Sequence, residues 1–259
     1  MKITAYLDNF LKSGHIFKDD IVLLHSDISQ LYKKLKKEKF NFNIDDLTDF
    51  FINYFDPKGI MIIPTFNFDF CKGLDFSIKN TVSQMGTLSE SLRLKAEKNR
   101  TWHPVYSFVT FGKIPKELIK KQNYSAYGRE SIFNWITEND GKIGVIDLPD
   151  QKSMTYYHHV EESLKVNWRF MKTFVGNYTD FNNKTYKTEA KIYVRKINEG
   201  VVTKVDGMEK ILWKKNLYKS KNNFSHKGCR SIRAKSLKKE VEEVILSNSA
   251  KGNLYIKNE

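Results

Sequence analysis

Apolar and polar positions alternate along this chain with two different periods, and the change between them divides it. Ile21-Val22-Leu23-Leu24 and Gly59-Ile60-Met61-Ile62-Ile63-Pro64 are continuous apolar runs. Runs of that length predict strands buried on both faces, as in a largely parallel sheet. Ser107-Phe108-Val109-Thr110-Phe111 and Lys142-Ile143-Gly144-Val145-Ile146 extend the strand set. Between the strands the spacing becomes helical. Leu7, Phe10 and Leu11 share one face of a helix over 4–13, and Leu47, Phe50, Phe51 and Tyr54 repeat in the same way before the turn Asp56-Pro57-Lys58-Gly59. Thr87-Leu88-Ser89-Glu90 has the form of a capping box opening a helix to about Ala96. Further helices fall near 115–121 and 131–139. After about residue 165 the texture changes. Thr185 to Arg195 alternates apolar and polar side chains, which predicts a half-exposed antiparallel strand, and Leu237, Val241, Val244 and Ile245 define a last amphipathic helix. No repeat and no Pro/Gly/Ser-rich linker interrupts the pattern. The expectation is one α/β domain over 1–259, a three-layer α/β/α arrangement with a central mixed sheet and antiparallel strands late in the chain.

Composition narrows the class. The 259 residues include 40% apolar and 14% aromatic side chains, enough for a full core without metal or disulfide support. Cys71 and Cys229 lie far apart, without metal-ligand spacing, and read as free thiols of a reducing cytosol. Asp8, Asn9 and Lys12 break the N-terminal stretch, so it has no signal-peptide apolar run, and no segment approaches the length of a membrane span. A cytoplasmic protein is expected. The net charge of +14 comes from 44 basic residues, of which only seven are Arg. Lys spread along the whole length is what an AT-rich genome produces, whereas a nucleic-acid protein more often clusters Arg with aromatics. The densest run, Lys33-Lys34-Leu35-Lys36-Lys37-Glu38-Lys39, is short and isolated. The positive field still concentrates anionic ligands in general.

The segment richest in chemistry is Tyr156-Tyr157-His158-His159-Val160-Glu161-Glu162. On a helix it sets His158 beside Glu161 and Glu162, and His159 beside Glu162. An imidazole there can take a proton near neutral pH. By itself the pattern is also that of a solvated helix face. Its company changes the reading: His25-Ser26, Pro64-Thr65-Phe66, Met85-Gly86-Thr87-Leu88, Trp102-His103-Pro104-Val105-Tyr106-Ser107 and Tyr127-Gly128-Arg129 precede it in that order.

Together these blocks resemble the aminoglycoside 3-N-acetyltransferase family, from about residue 20 to 190. The resemblance implies an acetyl-CoA-dependent N-acetyltransferase, and the family includes enzymes that acetylate nucleotide-linked amino sugars as well as those that inactivate antibiotics. It implies His158 as general base and Glu189, in Thr188-Glu189, as the carboxylate that orients it and tunes it upward. Glu161 and Glu162 remain able to orient an imidazole or cap local structure, without a catalytic role. His159 reads as packing or substrate-side, and His103 as structural. For acetyl-CoA the resemblance implies His25, Ser26 and Asp27 along the pantetheine arm, with Asp27 standing where antibiotic-modifying members commonly have Ser. It adds Ser107 and Phe108 on a second strand, and Gly128 and Arg129 at a phosphate-binding turn. Phe66, Tyr157, Glu162 and Trp168 are the candidate substrate contacts, equally readable as core. Few carboxylates lie near the motifs, which suits a polycationic aminoglycoside poorly. The favoured acceptor is therefore a nucleotide-linked amino sugar, such as a thymidine-diphosphate 3-amino-3,6-dideoxyhexose for surface polysaccharide, with an aminoglycoside as the alternative. Two other classes are a basic nucleic-acid-binding protein and a Ser26–His158–Glu189 hydrolase, the latter lacking any Gly-x-Ser-x-Gly elbow.

Overall fold

The computed structural model describes residues 2–258. Its strands are β1 (Ile21–Ser26), β2 (Ile60–Pro64), β3 (Phe76–Ser77), β4 (Phe108–Gly112), β5 (Lys142–Ile146), β6 (Arg169–Thr179), β7 (Thr185–Arg195), β8 (Val201–Thr203), β9 (Lys219–Ser220), β10 (Cys229–Arg233) and β11 (Tyr255–Lys257). Six of them form the central sheet in the order β4-β2-β1-β5-β10-β9. β1 runs parallel to β2 and β5, with Leu23 opposite both Ile62 and Ile143. β4 and β10 flank this core antiparallel. The sheet is thus mixed, and parallel only at its centre. Continuous apolar runs report burial on both faces, and say nothing of the direction of a neighbour.

Alternation along the strands sorts side chains to two apolar layers. Val22, Leu24, Met61 and Ile63 pack with Leu11, Leu31 and Phe51 from the helices Ile3–Ser13, Ser29–Lys37 and Ile44–Phe55. Leu23, Ile143 and Val145 face the other way, against Phe133, Tyr156, Val160 and Val241 from the helices Ile132–Glu138, Tyr156–Ser163 and Ala234–Leu246. Each such side chain, removed from water, contributes ~1.5–3 kcal/mol before entropy is set against it.

One helix start differs from expectation. Gly86, at φ 97°, occupies the N-cap, so Thr87 is already helical and its hydroxyl caps nothing. Glu90 instead accepts the Ser83 N–H at 2.7 Å and holds Arg93 at 2.6 Å. A reciprocal capping box does form at Asn43 and Asp46, opening Ile44–Phe55. The alternating segment is β7, paired along its whole length with β6, from Arg169 opposite Arg195 to Thr179 opposite Thr185. β3 adds to this hairpin, and β8 pairs with β11. No helix among the described residues is long and apolar enough to cross a membrane.

Two consequences of this layout position a site. β1 and β5 end side by side, at Ser26 and Ile146, and the carboxyl ends of parallel strands are where open α/β sheets bind ligands. The helix Tyr156–Ser163 follows β5, and the base of the β6–β7 hairpin lies against it.

Candidate active site

Helix Tyr156–Ser163 buries Tyr156, Tyr157, His159, Val160 and Glu161. That leaves the His158 side chain at the rim, 19% exposed. Three residues on, Glu161 sits one turn away on the same face, and its Oε2 lies 2.7 Å from His158 Nδ1. Glu161 is itself only 2% exposed, yet its charge is fully answered. Its Oε1 accepts the Trp168 indole N–H at 2.9 Å, and the Arg169 Nε stands 2.7 Å from Oε2. Arg169 opens β6 and also donates to the Tyr193 carbonyl and to Thr203 Oγ1. The Trp168 ring stacks on Tyr255 at 4.5 Å. Tyr127 presents its ring edgewise to the imidazole at 5.3 Å.

The electrostatics fix the proton inventory. Burial alone would raise the Glu161 carboxyl, but the Arg169 guanidinium and the hydrogen bonds from His158 and Trp168 overcome it and hold the group below the usual carboxylate range. Glu161 is therefore an acceptor, and His158 Nδ1 must carry the proton it donates. The lone pair is left on Nε2, which makes no hydrogen bond among the described residues. The imidazole itself is lowered, first by burial and then by Arg169, against the opposing pull of Glu161. This reverses the expectation of a histidine tuned upward. The carboxylate is shared with a guanidinium, so it orients the ring more than it favours imidazolium.

Other expected residues fare differently. Glu189 is not the partner of His158. It lies six residues along β7 from Arg195, the register partner of Arg169, which is ~20 Å at the usual strand rise. Its carboxylate is half exposed and faces Lys191 at 3.5 Å. Ser107 is fully buried. It receives the Arg100 Nε–H at 3.0 Å and donates to the Thr65 carbonyl, so its hydroxyl is committed to the fold. Phe108 and Phe66 pack edge to face in the core and are not surface contacts. Arg129 is exposed in a cleft with Glu130, Asn134 and Glu138, while Glu130 pairs with Lys121. Gly128 lies beside the site, where a Cβ would come within 3.1 Å of Glu162. Glu162 in turn accepts the Ser125 hydroxyl at 2.6 Å. His159 is packing: its Nδ1 meets the Tyr127 carbonyl at 2.6 Å. His103 is structural, accepting the Val105 and Tyr106 N–H groups.

A buried polar cluster beneath the site escaped the sequence reading. Asp150 is fully enclosed and accepts from the Tyr157 hydroxyl, from the Tyr218 hydroxyl at 2.7 Å and from Arg230 at 2.9 Å. Glu209 accepts the Asp150 N–H at 3.2 Å and meets His226 Nδ1 at 2.8 Å. Tyr157 is thereby a pin that ties the His158 helix to β10 rather than a substrate contact. His25, at the end of β1, is buried beside this cluster. Burial and then the Arg230 charge lower it to about 4, so it stays neutral. Its Nε2 has no partner among the described residues. Of the expected loop, Ser26 is half-buried and Asp27 exposed, with the Asp27 carboxylate accepting the Ser29 N–H at 2.9 Å. The only signal for the cluster was His25, a polar residue closing the apolar run Ile21-Val22-Leu23-Leu24.

Similar folds are known. The chain superposes on AAC-IIIb, solved as a binary complex with CoASH, with a TM-score of 0.76 at 13% identity over 95% of this chain and 96% of that one. The YokD protein of Bacillus subtilis gives 0.71 at 15% identity, over 95% and 99%. AAC-VIa bound to sisomicin gives 0.74 at 15%, over 95% and 98%. No curated protein matches the chain by sequence. The model of the aminoglycoside 3-N-acetyltransferase family matches residues 23–245, most of the chain, which therefore belongs to that family of N-acetyltransferases.

Proposed function

We propose that this protein transfers the acetyl group of acetyl-CoA to an amine of an amino sugar, with His158 as the general base. The observation that carries this reading is the His158–Glu161–Arg169 arrangement, which holds the imidazole proton on Nδ1 and leaves Nε2 as an open acceptor. Acetyl-CoA supplies a thioester, whose C–S bond breaks as the amine nitrogen forms a C–N bond to its carbonyl. As that bond forms, the nitrogen becomes acidic, Nε2 takes its proton, and coenzyme A departs as the thiolate, to which that proton is passed. Glu161 then faces an imidazolium and offsets its charge. The lowered imidazole suits this role, because it is free base at neutral pH and acquires its proton only during the attack. Ser26 and Asp27, at the carboxyl end of β1, would line the thioester arm. The unpartnered His25 Nε2 beside them is consistent with a polar ligand there.

For the acceptor, aminoglycosides are the class favoured by the family and by the sisomicin complex of a similar fold. A nucleotide-linked amino sugar, expected from the charge balance, draws no support from these similarities. One observation keeps it as a second reading. Glu161 is neutralised by Arg169, and Arg195 lies close enough to His158 to lower it further. A site with so little free negative charge is a weak pocket for a polycation. Acetyl-CoA turnover measured across sisomicin, apramycin and a thymidine-diphosphate 3-amino-3,6-dideoxyhexose decides the point. The aminoglycosides are expected to show the higher kcat/KM, and turnover of the sugar nucleotide alone would replace them with the second reading. Failure of every amine, with a folded protein, would remove the proposed activity.

A further inference from the structure

The β6–β7 hairpin is open along one edge. β7 is covered on its outer side, where the Lys191 N–H bonds the Tyr124 carbonyl and the Lys191 carbonyl accepts the Ala126 N–H. β6 is covered only at its far end, where β3 pairs with Tyr178 and Thr179. The turn sets the phase of the ladder. The Asp180 N–H reaches the Lys184 carbonyl, and the Ile78 N–H reaches the Thr179 carbonyl from outside. Hydrogen-bonded pairs alternate along an antiparallel ladder, so Phe170, Lys172, Phe174 and Gly176 bond inward to β7. The N–H and C=O groups of Met171, Thr173 and Val175 then point outward. No group outside the hairpin bonds them among the described residues.

The side chains along this edge are apolar and uncovered, with Phe170 45%, Met171 42% and Val175 61% exposed. A cleft of about 510 Å³ opens on the face that carries Phe170 and Phe174, with Val194 and Ile197 in its wall. Long apolar edges are usually guarded by a proline, a bulge or a charge. β6 has no proline, and its eleven pairs with β7 run without a bulge. Its one charge between residues 170 and 176 is Lys172, which lies folded over the Phe174 ring at 5.1 Å.

We infer that the β6 edge pairs with the same edge of a second copy of this chain, antiparallel across a two-fold axis at Thr173. The run is self-complementary about that residue. Met171 meets Val175 of the second copy, Thr173 meets its own counterpart, and every outward N–H and C=O of these residues gains a partner. On the other face Phe170 meets Gly176, and Lys172 meets the Phe174 ring. An axis one residue earlier, at Lys172, sets lysine against lysine and is disfavoured. The contact is isologous, so it closes at two copies and leaves no open strand behind.

Sedimentation equilibrium tests the pairing, with a dimeric wild type expected at micromolar concentration. Thr173→Pro deletes an outward N–H and leaves the β6–β7 ladder whole. It should raise the dimer dissociation constant about tenfold or more, since each copy loses a hydrogen bond. Met171→Lys/Val175→Lys sets like charges opposite one another across the axis and should dissociate the dimer at least as far. Met171→Lys/Val175→Glu alters the same exposed positions but sets opposite charges there, and should keep the dimer. Circular dichroism checks that both double variants fold. A wild type that stays monomeric into the sub-millimolar range overturns the inference, even if the edge captures an extended peptide, the mark of a different partner. A dimer that survives Met171→Lys/Val175→Lys is joined elsewhere and overturns it too. Equal dissociation of the two folded double variants overturns the register at Thr173.

Discussion

His158→Ala is expected to lower kcat by about 10²- to 10⁴-fold, the range lost with a general base, while binding of acetyl-CoA stays near its wild-type value. The loss follows from Nε2, the ring nitrogen of His158 without a protein partner among the described residues. Steady-state kinetics at saturating acceptor measure the first quantity and calorimetry the second. The wild-type pH profile carries a second signature. Burial and Arg169 disfavour the imidazolium, so the ring releases its proton below the usual imidazole range. The acidic limb of kcat/KM should therefore lie below ~6.5 and vanish in His158→Ala. Near-normal turnover in the alanine variant would take His158 out of the reaction.

Glu161→Gln is expected to do two separable things. An amide opposite Nδ1 can donate as well as accept, so the tautomer with a free lone pair on Nε2 is no longer enforced. Turnover should fall by roughly 10²-fold or more. With the negative charge gone and Arg169 remaining, the imidazolium becomes less favourable still, and the acidic limb should move to lower pH. The second effect is on the fold. Arg169 is 5% exposed, and Glu161 is its only carboxylate among the described residues. Leaving it unpaired should destabilise the protein by roughly 3–5 kcal/mol. The double variant Glu161→Gln/Arg169→Met separates the two, since it should regain stability in urea unfolding without regaining turnover. Glu189→Gln is the control, expected to leave both the pH profile and kcat within about twofold, as for an exposed side chain. A Glu189→Gln profile shifted as strongly as that of Glu161→Gln would restore Glu189 as the partner.

The contrast between these two glutamates shows where sequence reading stops. Ile21–Leu24 and Ile60–Pro64 were legible as strands because burial on both faces leaves an uninterrupted apolar run, and Phe108–Phe111 and Lys142–Ile146 because their short runs are mostly apolar. His158 was legible because its motif is local and contiguous. The spacing that joins it to Glu161 was visible too. What made Glu161 the partner was not: Arg169 and Trp168 converge on it from beyond the helix and allow a carboxylate to be buried. Glu189 suffered the opposite error, since an alternating strand announces which face a residue takes but not what stands in front of it. Ser107 failed in a third way. A hydroxyl inside an apolar strand looks available for a ligand, and only the arrival of Arg100 reveals that it is used. β10 and β9, short and preceded by a polar loop, had no apolar run to mark them, so Arg230 and Tyr218 could not be placed beside Asp150 in advance.

The Tyr157–Asp150–Arg230 linkage has a thermal consequence. His158 rides on a helix whose neighbouring residue is locked into the central sheet by a carboxylate with no exposure to solvent. Opening that helix by itself would take the Tyr157 hydroxyl from Asp150 and leave Arg169 without Glu161 in the interior, so fraying there is costly. Amide hydrogens of Val160 and Glu161 should consequently exchange only through global unfolding. Heat inactivation should then track the unfolding transition instead of preceding it, an order that enzymes with catalytic bases on mobile loops do not show.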